Sequence, residues 1–337
     1  MPLEFQILAA VAMDLLLGDP RWLPHPVRGI AWLAGRLEGL TRRACPGSPG
    51  GQKAAGVVTA ALTCTAAGLA VWGLMVLAGL WHPWAREAVG VVALYTTIAA
   101  RDLAGHGMAV YRPLVRGDLA EARRRVGWIV GRDTEGLDEA GVVRAAVESV
   151  AESTVDGVTA PLFYAIVFGP VFGPAAAMVY RAVNTLDSTF GYRDERYLHF
   201  GWASARIDDA ANFLPARLTA PLIALAAALL RQRPGAALRV LFRDGRKHQS
   251  PNSGLAEAAM AGALGVQLGG VNYYQGRPLE KPAIGDAVVP LAPAHIRAAN
   301  ALMLAATGLF LVAALAARMG VARLWPVVAG AMKGGPS

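Results

Sequence analysis

The sequence predicts an all-α fold: a polytopic helical membrane protein with about five transmembrane or re-entrant segments joined by long cytoplasmic helical loops. Three observations carry this. The 337 residues are 55% hydrophobic and only 17% charged, with a mean hydropathy of +0.39, too apolar for an ordinary soluble domain. Long uncharged runs recur along the chain. The net charge of +8 comes from arginines set between those runs rather than in a basic tail, which suits membrane loops or anionic substrates and makes nucleic acid a poor partner. The 2 cysteines, Cys45 and Cys64, allow neither a disulfide framework nor a cysteine metal site.

The whole chain, 1–337, reads as one integral membrane domain in the lipid bilayer. Residues 2–17 are a short first span, expected to be retained because they lack a basic n-region and carry Glu4 and Asp14. Residues 54–80 contain no charge and reach about 40 Å as a helix, enough to cross a bilayer. Residues 88–104 follow after a tight turn, making a helical hairpin. Residues 159–183 hold "FGPVFGP", whose two Gly-Pro pairs make the segment either a broken span or a re-entrant one. Residues 212–230 and 299–317 complete the set, the former interrupted by Pro215 and Pro221. The arginine-rich loops 18–53, 101–158 and 231–298 share the cytoplasmic side if 159–183 and 212–230 both cross. That leaves 184–211 outside, or folded back into the bundle. No internal repeat is found, and 45–52, "CPGSPGGQ", is a flexible surface turn.

Polar residues concentrate in five blocks. In "DLLLGDPRWLPHPVR", Asp14, Asp19, Arg21, His25 and Arg28 follow an apolar helix; a capped helix end with interfacial Trp22 explains them about as simply as chemistry does. In "VESVAESTVDGVTAPLFYAI", Glu148, Glu152 and Asp156 stand four residues apart, so on a helix they share a face about 12 Å long. Like charges at that spacing repel. A solvated face neutralised by Arg144 is the plain reading; beside a membrane, acids opposite Val143, Val147 and Val150 aim at a polar cavity or a cation. The third block places Arg181, Asn184 and Ser188 on one face beside Asp187, with capping as the alternative. The fourth, "ARIDDAANFLPARL", offers Asp208 and Asp209 near Arg206 and Asn212, a pattern that suits Mg²⁺ and equally suits an N-cap. The fifth, "RDGRKHQSPNSGLAE", sets Arg243, Lys247, His248, Ser250 and Asn252 ahead of an Ala-rich helix, a phosphate seat or a basic loop touching acidic lipid. There is no P-loop, dinucleotide fingerprint or H-E-x-x-H motif.

The ordered motifs "LLLGDPRWLPHPVR", "RDTEGLDEAGVVRAAVESVAESTVDG", "YRAVNTLDSTFGYRDERY", "ARIDDAANFLPARL", "RDGRKHQSPNSG" and "EKPAIGD", spanning about residues 14–286, closely resemble the adenosylcobinamide-phosphate synthase family of cobalamin biosynthesis. The resemblance implies a multi-pass protein of the cell inner membrane. It further implies a ligase that joins adenosylcobyric acid to (R)-1-amino-2-propanol phosphate through an amide, using ATP and Mg²⁺. Other membrane enzymes of nucleotide-loop assembly are implied partners. Ser153 and Gln249 depart from the family's usual Asn and Pro; Ser153 loses an amide donor and Gln249 loosens a turn.

For that reaction Glu148, Glu152 and Asp187 are the candidate catalytic acids, and Glu152, Asp156, Asp208 and Asp209 the candidate Mg²⁺ ligands. Arg21, His25, Arg28, Arg181, Asn184, Arg206, Arg243, Lys247, His248, Ser250 and Asn252 are the candidates for substrate and phosphate. Two other readings stand beside this one. A membrane prenyl or phosphoalcohol transferase would want two strong acidic clusters, and "DDAAN" is one with "NTLDS" a poor second. A transporter or non-catalytic scaffold would line a pathway with polar residues on broken helices.

Overall fold

A computed structural model describes residues 2–20, 22, 24–192 and 194–333, with side chains as far as Gly320. The first helix, α1 (Leu3–Leu17), buries Leu3, Ile7, Ala10 and Asp14 on one side and stops at Gly18, where φ is 62°. In α2 (Pro26–Ala44), His25 Nδ1 accepts the Val27 N–H at 3.3 Å and Pro26 takes the first turn, where its missing N–H is not needed. Ile30, Ala34, Glu38 and Thr41 are buried while Trp32 and Leu40 are exposed, the pattern of a helix lying along a surface. The long α3 (Pro49–Trp81) and α4 (Pro83–Tyr95) form the expected hairpin. Beyond Tyr95 the Thr96 and Thr97 hydroxyls bond back to the carbonyls of Ala93 (2.9 Å) and Leu94 (2.7 Å), and the helix resumes as α5 (Ala100–Val115) before α6 (Leu119–Val126). The span expected at 88–104 therefore straddles an interruption and starts earlier, because His82 caps the helix and Pro83 opens it.

The acid-bearing α7 (Glu139–Thr154) starts at an Asp138 cap, whose Oδ1 accepts the Gly141 N–H at 2.7 Å. It runs through a π-helical turn, Val155–Thr159, into α8 (Ala160–Phe190). This stretch doubles back at Gly169, with φ 73° and ψ −171°, a conformation open to glycine alone. The rings of Tyr164 and Tyr180 stack with centroids 5.3 Å apart, whereas sixteen residues of straight helix would separate them by about 24 Å. A Cβ on Gly173 would lie 2.4 Å from the Ala165 carbonyl oxygen, so the arms touch backbone to backbone. Pro170 cannot bond the carbonyl four residues before it, that of Ile166. Arg318 reaches that oxygen at 3.5 Å and also donates to Glu4 at 3.2 Å, clamping the tip of the hairpin. The segment 159–183 is thus a helical hairpin whose two ends return to the same end of the bundle.

After Phe190 come α9 (Trp202–Ala211), α10 (Phe213–Leu229), α11 (Pro234–Asp244) and α12 (Ser253–Leu264). A small antiparallel sheet follows, β1 (Leu268–Tyr274) with β2 (Arg277–Ile284), in register Tyr274 to Arg277, and then α13 (Ala294–Lys333). The all-α expectation did not include this sheet. Among the described residues, four helical stretches are long and apolar enough to cross a membrane, five if α9 and α10, bent by 50°, count as one. The doubled-back hairpin changes what α10 must do. Ile223, Ala224 and Ala227 of α10 share a core with Ala256, Ala259 and Ala263 of α12 and with Leu268, so this helix packs into the polar end of the molecule. A crossing at 212–230, as in the working topology, is not required to keep the three arginine-rich loops together. Residues 184–211 lie at the same end as those loops because the hairpin doubles back at Gly169.

At that end Asp244 is fully buried and holds together what surrounds it. Its carboxylate takes Arg243 at 2.7 Å, Lys247 at 2.7 Å and the Gly285 N–H at 2.9 Å. The hydrogen bond from Arg243 leads in holding its pKa below the usual carboxylate range. A depressed carboxyl stabilises the fold above the unfolded pKa of about 4, and that stability is lost as pH falls through the folded value. Asp244→Asn is expected to cost about 2 kcal/mol at pH 7, discounted for the half-exposed partners. The gap to wild type should close as pH drops below 4, which thermal melts across pH would check.

Candidate functional site

Three short segments bring five carboxylates into one cavity of about 220 Å³: Glu152 from α7, Asp156 from the π turn, Asp187 from the second arm of α8, and Asp208 and Asp209 from α9. The loop before α12 closes it with His248, Ser250, Asn252 and Ser253. The π turn widens the helix at Asp156 and takes it off the α-helical phase of Glu152. The main-chain oxygen of Asp156 accepts Arg181 Nη1 at 3.3 Å, and its Oδ2 accepts Asn184 Nδ2 at 3.4 Å. The Tyr180 hydroxyl donates to Asn212 Oδ1 at 2.8 Å, and Asn212 Nδ2 donates to Asp208 Oδ2 at 3.0 Å. Asp208 Oδ1 is buried with no partner. Ser253 donates to Glu152 at 3.0 Å and Ser250 to Asp209 at 3.4 Å. Among the described residues, Glu152, Asp156, Asp187 and Asp208 enter no ion pair; only Asp209 does, with the exposed Arg206 at 3.4 Å.

Such a cavity calls for a cation. No three of its acidic or histidine side chains stand close enough, among the described residues, to ligate one ion unaided. Mg²⁺ does not need that, since it takes one or two carboxylates and completes its shell with water and phosphate oxygens. The unpartnered Asp208 oxygen and the unpaired acids around it fit an ion of this kind.

The cavity opens through Glu152, Asp156 and Asp187 into a second chamber of about 460 Å³, which adds Ser149, Ser153, Arg181, Asn184, Ser188 and Tyr192. Arg181 is also in the wall of a third chamber, of about 560 Å³, with Asp19, His25, Arg28, Asp102, His106, Arg125 and Trp128. Five carboxylates line the first chamber, whereas the third sets the guanidinium groups of Arg28, Arg125 and Arg181 beside only two, Asp19 and Asp102.

Several expected site residues lie elsewhere. Glu148 does not join the acids. It is buried in an ion pair with Arg132 and accepts the Gly269 N–H at 2.8 Å, so it ties α7 to the sheet. Arg144, expected to neutralise the acidic stripe, bonds the Val271 carbonyl at 3.2 Å instead. Arg243 and Lys247 neutralise Asp244, with Arg243 also on Asp286 at 2.9 Å, and neither lines the cleft. Arg206 is exposed beside it. Arg21 lies outside the described residues. The aromatics Trp202, Tyr273 and Tyr274 line none of the three chambers, whereas Tyr192 lines the second.

Behind the acid cavity Glu257 is buried, its Oε1 4.0 Å from His248 Nε2. Burial first, and then the charges of Glu148 and Glu152, hold its carboxyl well above the ordinary range. Burial and then Lys281 pull the His248 imidazole down. Because His248 Nδ1 accepts the Ser250 N–H at 3.0 Å, the neutral ring carries its proton on Nε2, toward Glu257.

A family model described as CobD/CbiB protein matches residues 7–303. The chain is 52% identical over 285 residues to the cobalamin biosynthesis protein CobD of Geobacter metallireducens, covering 85% of this chain and 87% of that one. It is 45% identical over 312 residues to the cobalamin biosynthesis protein CbiB of Salmonella typhimurium, covering 93% and 96%. This chain belongs to the CobD/CbiB family. That is the cobinamide-phosphate synthase family indicated by the sequence motifs. A further relative, the CobD of Klebsiella pneumoniae, is 47% identical over 315 residues, covering 94% and 96%. No solved structure matches the chain. Asp102, His106, Arg125 and Trp128 of this CobD/CbiB protein escaped the sequence reading because no local motif marks them. The four-residue spacing of Asp102 and His106, which puts both on one face of α5, was the available signal.

Proposed function

We propose that this protein acts in cobalamin biosynthesis as the ligase that joins the free carboxylate of adenosylcobyric acid to (R)-1-amino-2-propanol phosphate, with ATP and Mg²⁺. The observation that carries the reading is the set of four carboxylates outside any ion pair among the described residues, drawn from three segments onto one cavity that adjoins the Arg181 guanidinium.

A carboxylate and an ammonium ion do not condense at neutral pH; the acyl oxygen must first become a leaving group. The corrinoid carboxylate oxygen bonds to the γ-phosphorus of ATP as the terminal phosphoanhydride breaks, releasing ADP and leaving an acyl phosphate. The amine nitrogen then bonds to the acyl carbon, the carbon–oxygen bond to phosphate breaks, and inorganic phosphate departs. Before that attack the ammonium must lose a proton, for which Glu152 and Asp187 are the acceptors at the cavity wall. Asp208, with Asp156 beside it, would hold Mg²⁺, which neutralises charge on the transferring phosphoryl group when bound. Asn184 and Asn212 fix the carboxylates at 3.4 and 3.0 Å, and Arg181 offers a fixed positive charge where phosphate oxygens gather. Incubating the purified protein with the corrinoid acid, the amino alcohol phosphate, ATP and Mg²⁺ should yield amide product by mass. No product, or product without nucleotide, would refute the reaction.

A further inference from the structure

Resting on that nucleotide-dependent reading and adding the location it lacks, we propose that the third chamber, walled by Asp19, His25, Arg28, His106, Arg125 and Trp128, is the seat of the nucleoside triphosphate with its metal ion.

The chamber is demanding in an unusual way. Its wall holds both signs of charge with little satisfied: Arg181 Nε is buried with no hydrogen-bond partner, Asp14 Oδ1 behind the wall likewise, and Asp19 Oδ1 has only His25 Nε2 across a loose 3.5 Å. Burying such an atom unmet is unfavourable, so a ligand that meets it gains affinity. A lone phosphate would satisfy Arg181 and Arg28 but face Asp19 and Asp102. A bare cation would satisfy the carboxylates but face the guanidinium groups. A metal polyphosphate answers both, since carboxylates take the metal while arginines take phosphate oxygens. The Arg28 and His106 side chains have no hydrogen bond or ion pair among the described residues, and so are available. Arg125 is held by Glu121 at 2.6 Å and stacks 4.5 Å from the centroid of the Trp128 ring. The indole, with Arg124 also 5.1 Å from its centroid, is 49% exposed, an aromatic and cationic surface that a nucleobase can lie against.

Size and position agree. At about 560 Å³ the chamber is more than twice the acid cavity at about 220 Å³, whose five carboxylates would repel a triphosphate. Arg181 belongs to the wall of both the third and the second chamber, so a terminal phosphoryl group beside it points toward the acids that await the amine. Nucleotide and amine would then approach the corrinoid carboxylate from opposite ends of one cleft.

The test is equilibrium binding of Mg²⁺-ADP and of a non-hydrolysable ATP analogue to the full chain in lipid nanodiscs. Arg28→Ala and Trp128→Leu should each weaken binding at least about tenfold, as loss of a charged contact or a stacking surface does. Trp202→Leu, an exposed aromatic that lines none of the three chambers, should bind nucleotide as wild type does. Equal binding by both chamber variants, or binding lost only in Trp202→Leu, would overturn the location while ATP-dependent amide formation stood. A wild-type protein that binds no nucleotide would sink the location and the nucleotide-dependent reading together. Arg28 is exposed and Trp128 half-exposed, so neither change threatens folding, and thermal melts check that directly.

Discussion

Asp208→Asn is expected to lower turnover at least about 100-fold, roughly 2.7 kcal/mol of transition-state stabilisation, while insertion and melting temperature stay near wild type. The asparagine keeps the shape and can still meet Asn212, so packing survives. What it loses is the negative charge at the one buried oxygen in the cavity that no protein group satisfies. Loss of an ion ligand also predicts a raised Mg²⁺ requirement, so residual activity should climb with Mg²⁺ concentration in the variant more than in wild type. Unchanged turnover at low Mg²⁺ would remove Asp208 from the chemistry.

The second large effect concerns an acid outside the cavity. Glu148→Ala strips the buried Arg132 of its carboxylate and leaves the Gly269 N–H unmet, and should cost about 3–5 kcal/mol of stability. Replacing the pair together, Arg132→Met with Glu148→Leu, should recover most of that loss, because two apolar side chains bury without penalty. Thermal or denaturant unfolding of the three proteins measures it. Glu148→Ala that is as stable as wild type yet inactive would return Glu148 to catalysis.

Glu148 also illustrates what a sequence can and cannot say. The spacing of Glu148, Glu152 and Asp156 suggests one stripe, and the helix does form, but two of the three acids face the cavity while Glu148 is claimed by Arg132 and by a sheet more than a hundred residues away. The π turn then displaces Asp156 from an ideal stripe, and no local pattern announces it. Convergence of Asp187, Asp208 and Asp209 on the same place was legible because each sits just beyond or between apolar segments, where a membrane protein collects polar groups. Arg243 and Lys247 read as phosphate ligands because cations are visible in a sequence, whereas burial of their counter-ion Asp244 is not. The Gly-Pro pairs revealed a break in α8, yet its direction depended on contacts such as Tyr164 with Tyr180 and Arg318 with Ile166. Asp102, His106, Arg125 and Trp128 reach the third chamber through tertiary packing alone.

In the proposed mechanism, carboxylates from α7, the π turn, α8 and α9 make one divalent-cation site at the polar end of the bundle. Electron paramagnetic resonance of Mn²⁺, added in place of Mg²⁺ to the full chain in nanodiscs without nucleotide, tests it most directly. One bound Mn²⁺ is expected, lost in Asp208→Asn and weakened in Asp156→Asn, with the Arg132→Met, Glu148→Leu protein binding as wild type. Mn²⁺ bound equally by all of these proteins, or by none, would contradict it.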